Sequence, residues 1–97
     1  MVEKQKRHLA AIMFTDVAGY TALMQRDERE ARQVRDRHRA VLKDALAPRG
    51  GELVEHYGDG SLSIFASSIE AVHCALEIQK TLSAPPEVPL RIGIHSG

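Results

Sequence analysis

An apolar run from Leu9 to Phe14, closed by Thr15 and Asp16 and followed by a turn that carries Gly19, Tyr20 and Thr21, constrains this chain more than any other stretch. A short continuous apolar run bounded by turn residues has the pattern of a strand covered on both faces, although periodicity alone does not separate it from a buried helix segment. It reads as the central strand of a sheet. Asp16 then falls where that strand stops, beside the following backbone amides, a position where a cation and a phosphate chain can both be held. The same acid also makes an ordinary turn or helix-cap residue. This stretch by itself leaves both readings open.

A length of 97 residues allows one domain at most. Thirteen basic and thirteen acidic residues balance to a formal net charge of zero, so no whole-molecule field favours nucleic acid or a membrane surface. Partners must be argued locally. Cys74 is the one cysteine, which excludes an internal disulfide and fits a reducing compartment; within a helical apolar pattern it reads as a small core residue. Residues 1–7 form a charged, polar lead-in to a domain over residues 8–97. No apolar segment has the length of a membrane span, and Leu9 to Phe14 is too short for a signal sequence. The expectation is a soluble, cytoplasmic chain with no membrane contact and no nucleic-acid partner.

Beyond the first strand, Tyr20 to Gln25 suits a short helical turn. The charge run from Arg26 to Glu30 suits a solvated helix start with acids in its first turn. Ala31, Val34, His38, Val41, Leu42, Ala45 and Leu46 recur at helical spacing until Pro48 and Gly50-Gly51 stop them. His38 lies on the inner or border stripe and reads as a packed histidine. Glu52–Tyr57 and Ser61–Phe65 flank Gly58-Asp59-Gly60, a hairpin signal. Ser67 to Glu70 has the capping-box pattern, and Ile69, Val72, Ala75, Leu76, Ile78 and Leu82 carry a further helix. Pro85, Pro86 and Pro89 stiffen the link to a last strand over residues 90–95.

The order strand, helix, strand, strand, helix, strand predicts an α+β fold. Two right-handed crossovers interleave into a ferredoxin-like βαββαβ core, a four-stranded antiparallel sheet with both helices on one face. That topology sets the hairpin tip at the same edge as the end of the first strand, so Asp16 and Asp59 converge. Paired carboxylates are hard-oxygen ligands of the kind Mg²⁺ or Mn²⁺ takes, with positions left for water and phosphates. Two such ions can activate an attacking oxygen and screen a leaving pyrophosphate. Taken singly, Asp59 is also an ordinary hairpin Asp-Gly residue.

Three stretches, Phe14–Thr21, Gly58-Asp59-Gly60 and Arg91–Gly97, together resemble the class III nucleotidyl cyclase catalytic domain, the bacterial adenylate and guanylate cyclase family. The resemblance covers nearly the whole chain beyond the lead-in. It implies that Asp16 and Asp59 are the paired metal-binding aspartates, with the Val17 backbone carbonyl assisting. It further implies that Ala18, Gly19, Tyr20 and Thr21 form the loop whose amides hold the triphosphate, and that Arg91 reaches the substrate's phosphates. The reaction implied is attack of the ribose 3′-hydroxyl on the α-phosphorus of ATP or GTP, giving a cyclic nucleotide and pyrophosphate with two Mg²⁺ or Mn²⁺ ions.

Two departures bear on this. Where many members carry a purine-reading lysine, this chain has Glu55, which accepts from an amino or ring N–H instead of donating, so the base preference stays open; Glu55 also reads as a plain exposed strand residue. Family members continue into a further strand-helix-strand region with the remaining base-reading residue, the transition-state asparagine and arginine, and the subunit-pairing surface. The chain is therefore expected to be a truncated cyclase domain, its amino-terminal part, inactive or weak alone and prone to form a homodimer or swapped assembly. A competing reading is a non-catalytic nucleotide-binding or regulatory dimerisation module on the same core. A palm-type synthase or polymerase module is a third, and the Gly-Gly-Asp-Glu-Phe signature of its hairpin is absent.

Overall fold

The computed structural model describes residues 9–97, so the expected lead-in over residues 1–7, and His8 at the start of the assigned domain, lie outside the described residues. Strand β1 spans Ala11–Val17, and its side chains alternate between a closed and an open side. Ala11, Met13, Thr15 and Val17 are buried, whereas Phe14 on the opposite face is 43 % exposed. The expectation of a strand covered on both faces is thus corrected. Both faces of β1 are apolar through Phe14, but only one is roofed, and an unalternating sequence cannot distinguish the two cases. The strand also continues past the apolar run, so Asp16 lies within its last turn of pleat rather than beyond its end.

Helix α1 covers Tyr20–Arg26 and helix α2 covers Glu28–Leu46. Asp27 separates them with an extended backbone, and its carboxylate accepts from the Glu30 amide at 3.0 Å. That bond satisfies one of the amides a helix start leaves without a partner, and Glu28 and Glu30 sit favourably in the positive first turn. The charge run therefore starts a helix with acids in its first turn, as its sign pattern suggested, and also forms the junction with α1. A 3₁₀ turn over Ala47–Arg49 leads into β2 (Glu52–Tyr57), β3 (Gly60–Phe65), α3 (Ser68–Leu82) and β4 (Leu90–Ser96).

The strand order is β2-β3-β1-β4 with every neighbouring pair antiparallel. This is the expected ferredoxin-like α+β arrangement. Helices α2 and α3 pack on one face, where Met13, Val17, Leu42, Leu46, Phe65, Cys74, Ile78 and Leu82 close the core. Each large apolar side chain fully buried there contributes roughly 1.5–3 kcal/mol. Cys74 is wholly buried, as expected.

The α3 stripe differs from expectation. Ala71, Cys74, Ile78 and Leu82 are buried, while Ile69 and Leu76 are each 63 % exposed and Val72 is 44 % exposed. Two stripes of the helix carry apolar residues, and the one that holds Ala71, Cys74, Ile78 and Leu82 is buried in the core. Ser67 caps the helix through the Glu70 amide at 3.2 Å. The Glu70 carboxylate does not return that bond as a capping box requires, but pairs with Arg49 at 3.1 Å. The proline-rich link is anchored from α2, where Arg37 donates to the carbonyls of Pro86, Thr81 and Ala84 at 2.7, 3.1 and 3.3 Å.

Candidate active site

The strand register decides which side chains share the open face. Cross-strand partners point the same way, so Phe14 lies between Leu62 on β3 and Gly93 on β4, and Asp16 stands beside Arg91. The Arg91 guanidinium donates from Nε to Asp16 Oδ1 at 2.8 Å across these two strands. This hydrogen bond and the carboxylate charge hold the Arg91 pKa above its ordinary value.

At the other flank of β1 the β2–β3 hairpin turns through Gly58 and Asp59, between the paired Tyr57 and Gly60. Gly58 adopts φ +55°, a left-handed conformation that a side chain disfavours. Gly60 has no positive φ; its requirement is space. A Cβ there would meet the Thr15 carbonyl oxygen at 2.5 Å and the Asp16 Cβ at 3.4 Å. With the strands this close, Asp59 Oδ2 accepts from the Val17 amide at 2.9 Å across 42 residues of sequence. Asp16 and the Val17 amide that Asp59 accepts from belong to consecutive residues of β1, so the two acids are brought to the same end of the sheet, as the topology required.

Each carboxylate keeps one oxygen with no protein donor among the described residues: Asp16 Oδ2 and Asp59 Oδ1. No group of three or more His, Cys, Asp or Glu suited to a metal occurs among the described residues, so further ligands to an ion here would be backbone carbonyls, waters or phosphate oxygens. Two carboxylates with free oxygens and open positions fit a hard divalent cation of the Mg²⁺ or Mn²⁺ type.

The loop from Ala18 to Thr21 follows directly. Gly19 takes a left-handed conformation as the N-cap of α1, and no side chain caps the helix, so its first-turn amides are not satisfied by a cap. The Ala18 amide, expected among the phosphate-holding group, donates instead to the Pro89 carbonyl at 2.7 Å. Tyr20 packs partly against the core and Thr21 is exposed. Glu55 reaches the open face through an irregularity: the β2 register shifts between Leu53 and Glu55, and Glu55 is paired with Leu62, in the same row as Phe14. An unbroken alternation from Leu53, which is paired with the buried Ser63, would have turned it to the helix side.

Behind the acids, on the helix side, lies a buried polar group that the motif reading did not single out. Thr15 Oγ1 bonds His38 Nε2 at 2.8 Å and Ser61 Oγ at 2.5 Å, and all three residues are at most 1 % exposed. His38 is a packed histidine, as expected. Its pKa falls to about 4, first because burial disfavours the cation and then through repulsion from His56 and Arg39, against weaker attraction by Asp59 and Asp16. Thr15 and Ser61 are polar residues at inward strand positions, which was the available sequence signal.

No family model matches the chain. It is 35 % identical over 103 residues to a putative adenylate cyclase 3 of Rhizobium meliloti (strain 1021), an alignment that covers 98 % of this chain and 18 % of that relative. A crystal structure of an adenylate/guanylate cyclase/hydrolase from Silicibacter pomeroyi superposes with a TM-score of 0.79 at 36 % identity, over 95 % of this chain and 58 % of that one. The guanylate cyclase domain from Catenaria anguillulae, solved in complex with GTP, shares the fold at a TM-score of 0.80 and 19 % identity, over 93 % of this chain and 57 % of that one. By motif, fold and sequence similarity the chain resembles the class III adenylate/guanylate cyclase catalytic domain. It corresponds to part of that domain, and spans less than a fifth of the curated relative it matches first. No helix among the described residues is long and apolar enough to cross a membrane.

Proposed function

We propose that this chain supplies the metal-binding and phosphate-binding part of a class III nucleotidyl cyclase site, which converts ATP or GTP to a 3′,5′-cyclic nucleotide and pyrophosphate. The observation that supports this reading above all is the apposition of Asp16 and Asp59 at one sheet edge, fixed by the Val17 amide at 2.9 Å from Asp59. Asp16, Asp59 and the Val17 carbonyl would hold two Mg²⁺ or Mn²⁺ ions. Bound there, the ions would supply charge to favour ionisation of the ribose 3′-hydroxyl and to offset charge on the departing pyrophosphate. The chain's own contribution is placement. Amides of residues 18–21 would face the triphosphate, with Ala18 exchanging its Pro89 partner for a phosphate oxygen. Arg91 would turn its guanidinium from Asp16 to the phosphates, a move its 69 % exposed side chain permits without disturbing the core.

The purine would lie along the open face, where the row Glu55–Leu62–Phe14 offers an acceptor and two apolar surfaces. A carboxylate accepts from the exocyclic amino group of adenine or from the ring N–H and amino group of guanine, so both nucleotides suit it. The chain corresponds to little more than half of the compared catalytic chains, so full activity is expected only with elements beyond it, within a two-chain site. The test is a cyclic-nucleotide assay with Mn²⁺ and ATP or GTP on this chain alone and mixed with a catalytic domain whose own paired aspartates are replaced. Product in the mixture, abolished by Asp59→Asn here, supports the reading; nucleotide binding without product in either arrangement would point to a regulatory binding module.

A further inference from the structure

Thr15, His38 and Ser61 are polar side chains at most 1 % exposed in a core where, among the described residues, Ser63 is the one other buried polar residue. Burying such groups costs free energy unless they bond one another, and apolar residues of similar shape often serve stability as well. Their arrangement does something an apolar trio cannot. One atom, Thr15 Oγ1, joins β1 to α2 through His38 Nε2 at 2.8 Å and to β3 through Ser61 Oγ at 2.5 Å. Bonds of this kind are directional, whereas apolar packing tolerates sliding.

The place of this junction matters because of what is attached to it. Thr15 immediately precedes Asp16 and points to the opposite face, and Ser61 follows Asp59 by two residues, with Gly60 between them against the Thr15 carbonyl. Any slip of β3 along β1 that takes Asp59 from the Val17 amide must also break Thr15 from Ser61. Helix α2 adds the third anchor, with His38 near its middle.

We propose that His38, acting through Thr15 and Ser61, is a positioning residue that holds Asp16 and Asp59 at the spacing a divalent cation requires. The proposal rests on the assignment of these two acids as the metal site. His38 touches neither acid nor substrate in this arrangement; it acts by fixing the strand ends. Residues that orient metal ligands commonly cost 10–100-fold in metal affinity when replaced.

Four variants of the full chain separate the possibilities: His38→Leu, His38→Gln, Thr15→Val and Asp59→Asn. Leucine fills the ring's space without a bond, glutamine can return a polar atom to Thr15, and valine keeps the shape of threonine without its hydroxyl. Mn²⁺ affinity in the presence of ATP is read by electron paramagnetic resonance, melting temperature by circular dichroism, and hydrogen exchange of the Val17 amide by NMR. His38→Leu and Thr15→Val are expected to weaken Mn²⁺ about tenfold and speed Val17 exchange about tenfold, whether melting falls or rises, while His38→Gln stays within about threefold of the parent on both. A merely structural role would instead have affinity unchanged in every variant that remains folded, or tracking melting temperature alone; either result overturns the proposal. Asp59→Asn isolates the underlying assignment. If it leaves Mn²⁺ affinity intact the metal site itself is wrong, whereas its loss beside unaffected leucine and valine variants refutes only the positioning role.

Discussion

Gly60 is where the geometry of the site can be disturbed by a single methyl group. In Gly60→Ala the new Cβ would sit 2.5 Å from the Thr15 carbonyl oxygen and 3.2 Å from Tyr57 Cε2. Tyr57 is 45 % exposed, so its ring can swing aside. The carbonyl belongs to the backbone of β1, and Thr15 is held from below by His38 and Ser61, so relief must come from parting β1 and β3 by at least about half an ångström. Overpacking of this kind costs about 1–3 kcal/mol, and the fixed carbonyl argues for the upper part of that range. Against it, an alanine narrows the unfolded ensemble by about 0.4–1 kcal/mol, leaving a net loss of about 1–2 kcal/mol. Gly93→Ala is the internal comparison: it lies on the same open face beside Phe14 with nothing within 4 Å of a Cβ, and should be neutral or slightly stabilising. Urea unfolding of the two variants and the parent gives the difference directly. Equal stability of Gly60→Ala and Gly93→Ala would refute the claim that the strands approach too closely at Gly60 for any side chain.

Further consequences follow from individual groups. The His38 pKa, lowered in the fold to about 4, means the unfolded chain binds a proton first; the stabilisation is complete above about pH 6.5 and is lost as pH falls toward 4, by about 3 kcal/mol when fully developed. Urea unfolding at pH 7, 5.5 and 4 should show that loss in the parent and much less of it in His38→Gln; equal slopes in the two would contradict the burial of a neutral imidazole. Cys74 is fully buried and its thiol is pushed up to about 11 chiefly by burial, so the native chain should resist a thiol reagent at pH 8 and react at once in denaturant. Asp27→Ala removes the cap that starts α2 and should cost about 1 kcal/mol in urea unfolding without altering Mn²⁺ affinity.

The main lines of the fold and the apposition of the two candidate acids were legible because they depend on order and topology. A strand-helix-strand unit repeated with a hairpin between leaves few arrangements, and the sheet order found here follows from them. Asp16 and Asp59 could be paired across the sequence for the same reason. What stayed hidden depends on which of two equivalent surfaces is used. The apolar faces of β1 read alike, yet only that of Met13 is roofed; the exposed Ile69 and Leu76 of α3 gave as strong a periodic signal as the buried Ile78 and Leu82. The turn of Glu55 to the open face was hidden as well, since one extra residue in β2 reverses every side chain beyond it. Hydroxyl groups carry no period of their own, so the bond of Thr15 to His38 and Ser61 required coordinates.

The proposed reading requires one divalent ion to be shared between Asp16 on β1 and Asp59 at the β2–β3 turn. Paramagnetic broadening in ¹⁵N-¹H spectra tests it most directly, with Mn²⁺ added below one equivalent in the presence of ATP. A shared ion broadens the amides of Val17, Ala18, Asp59 and Gly60 first and together, and Asp16→Asn or Asp59→Asn removes the effect at all four. Broadening confined to one of the two strand ends, or centred on another part of the chain, would contradict it.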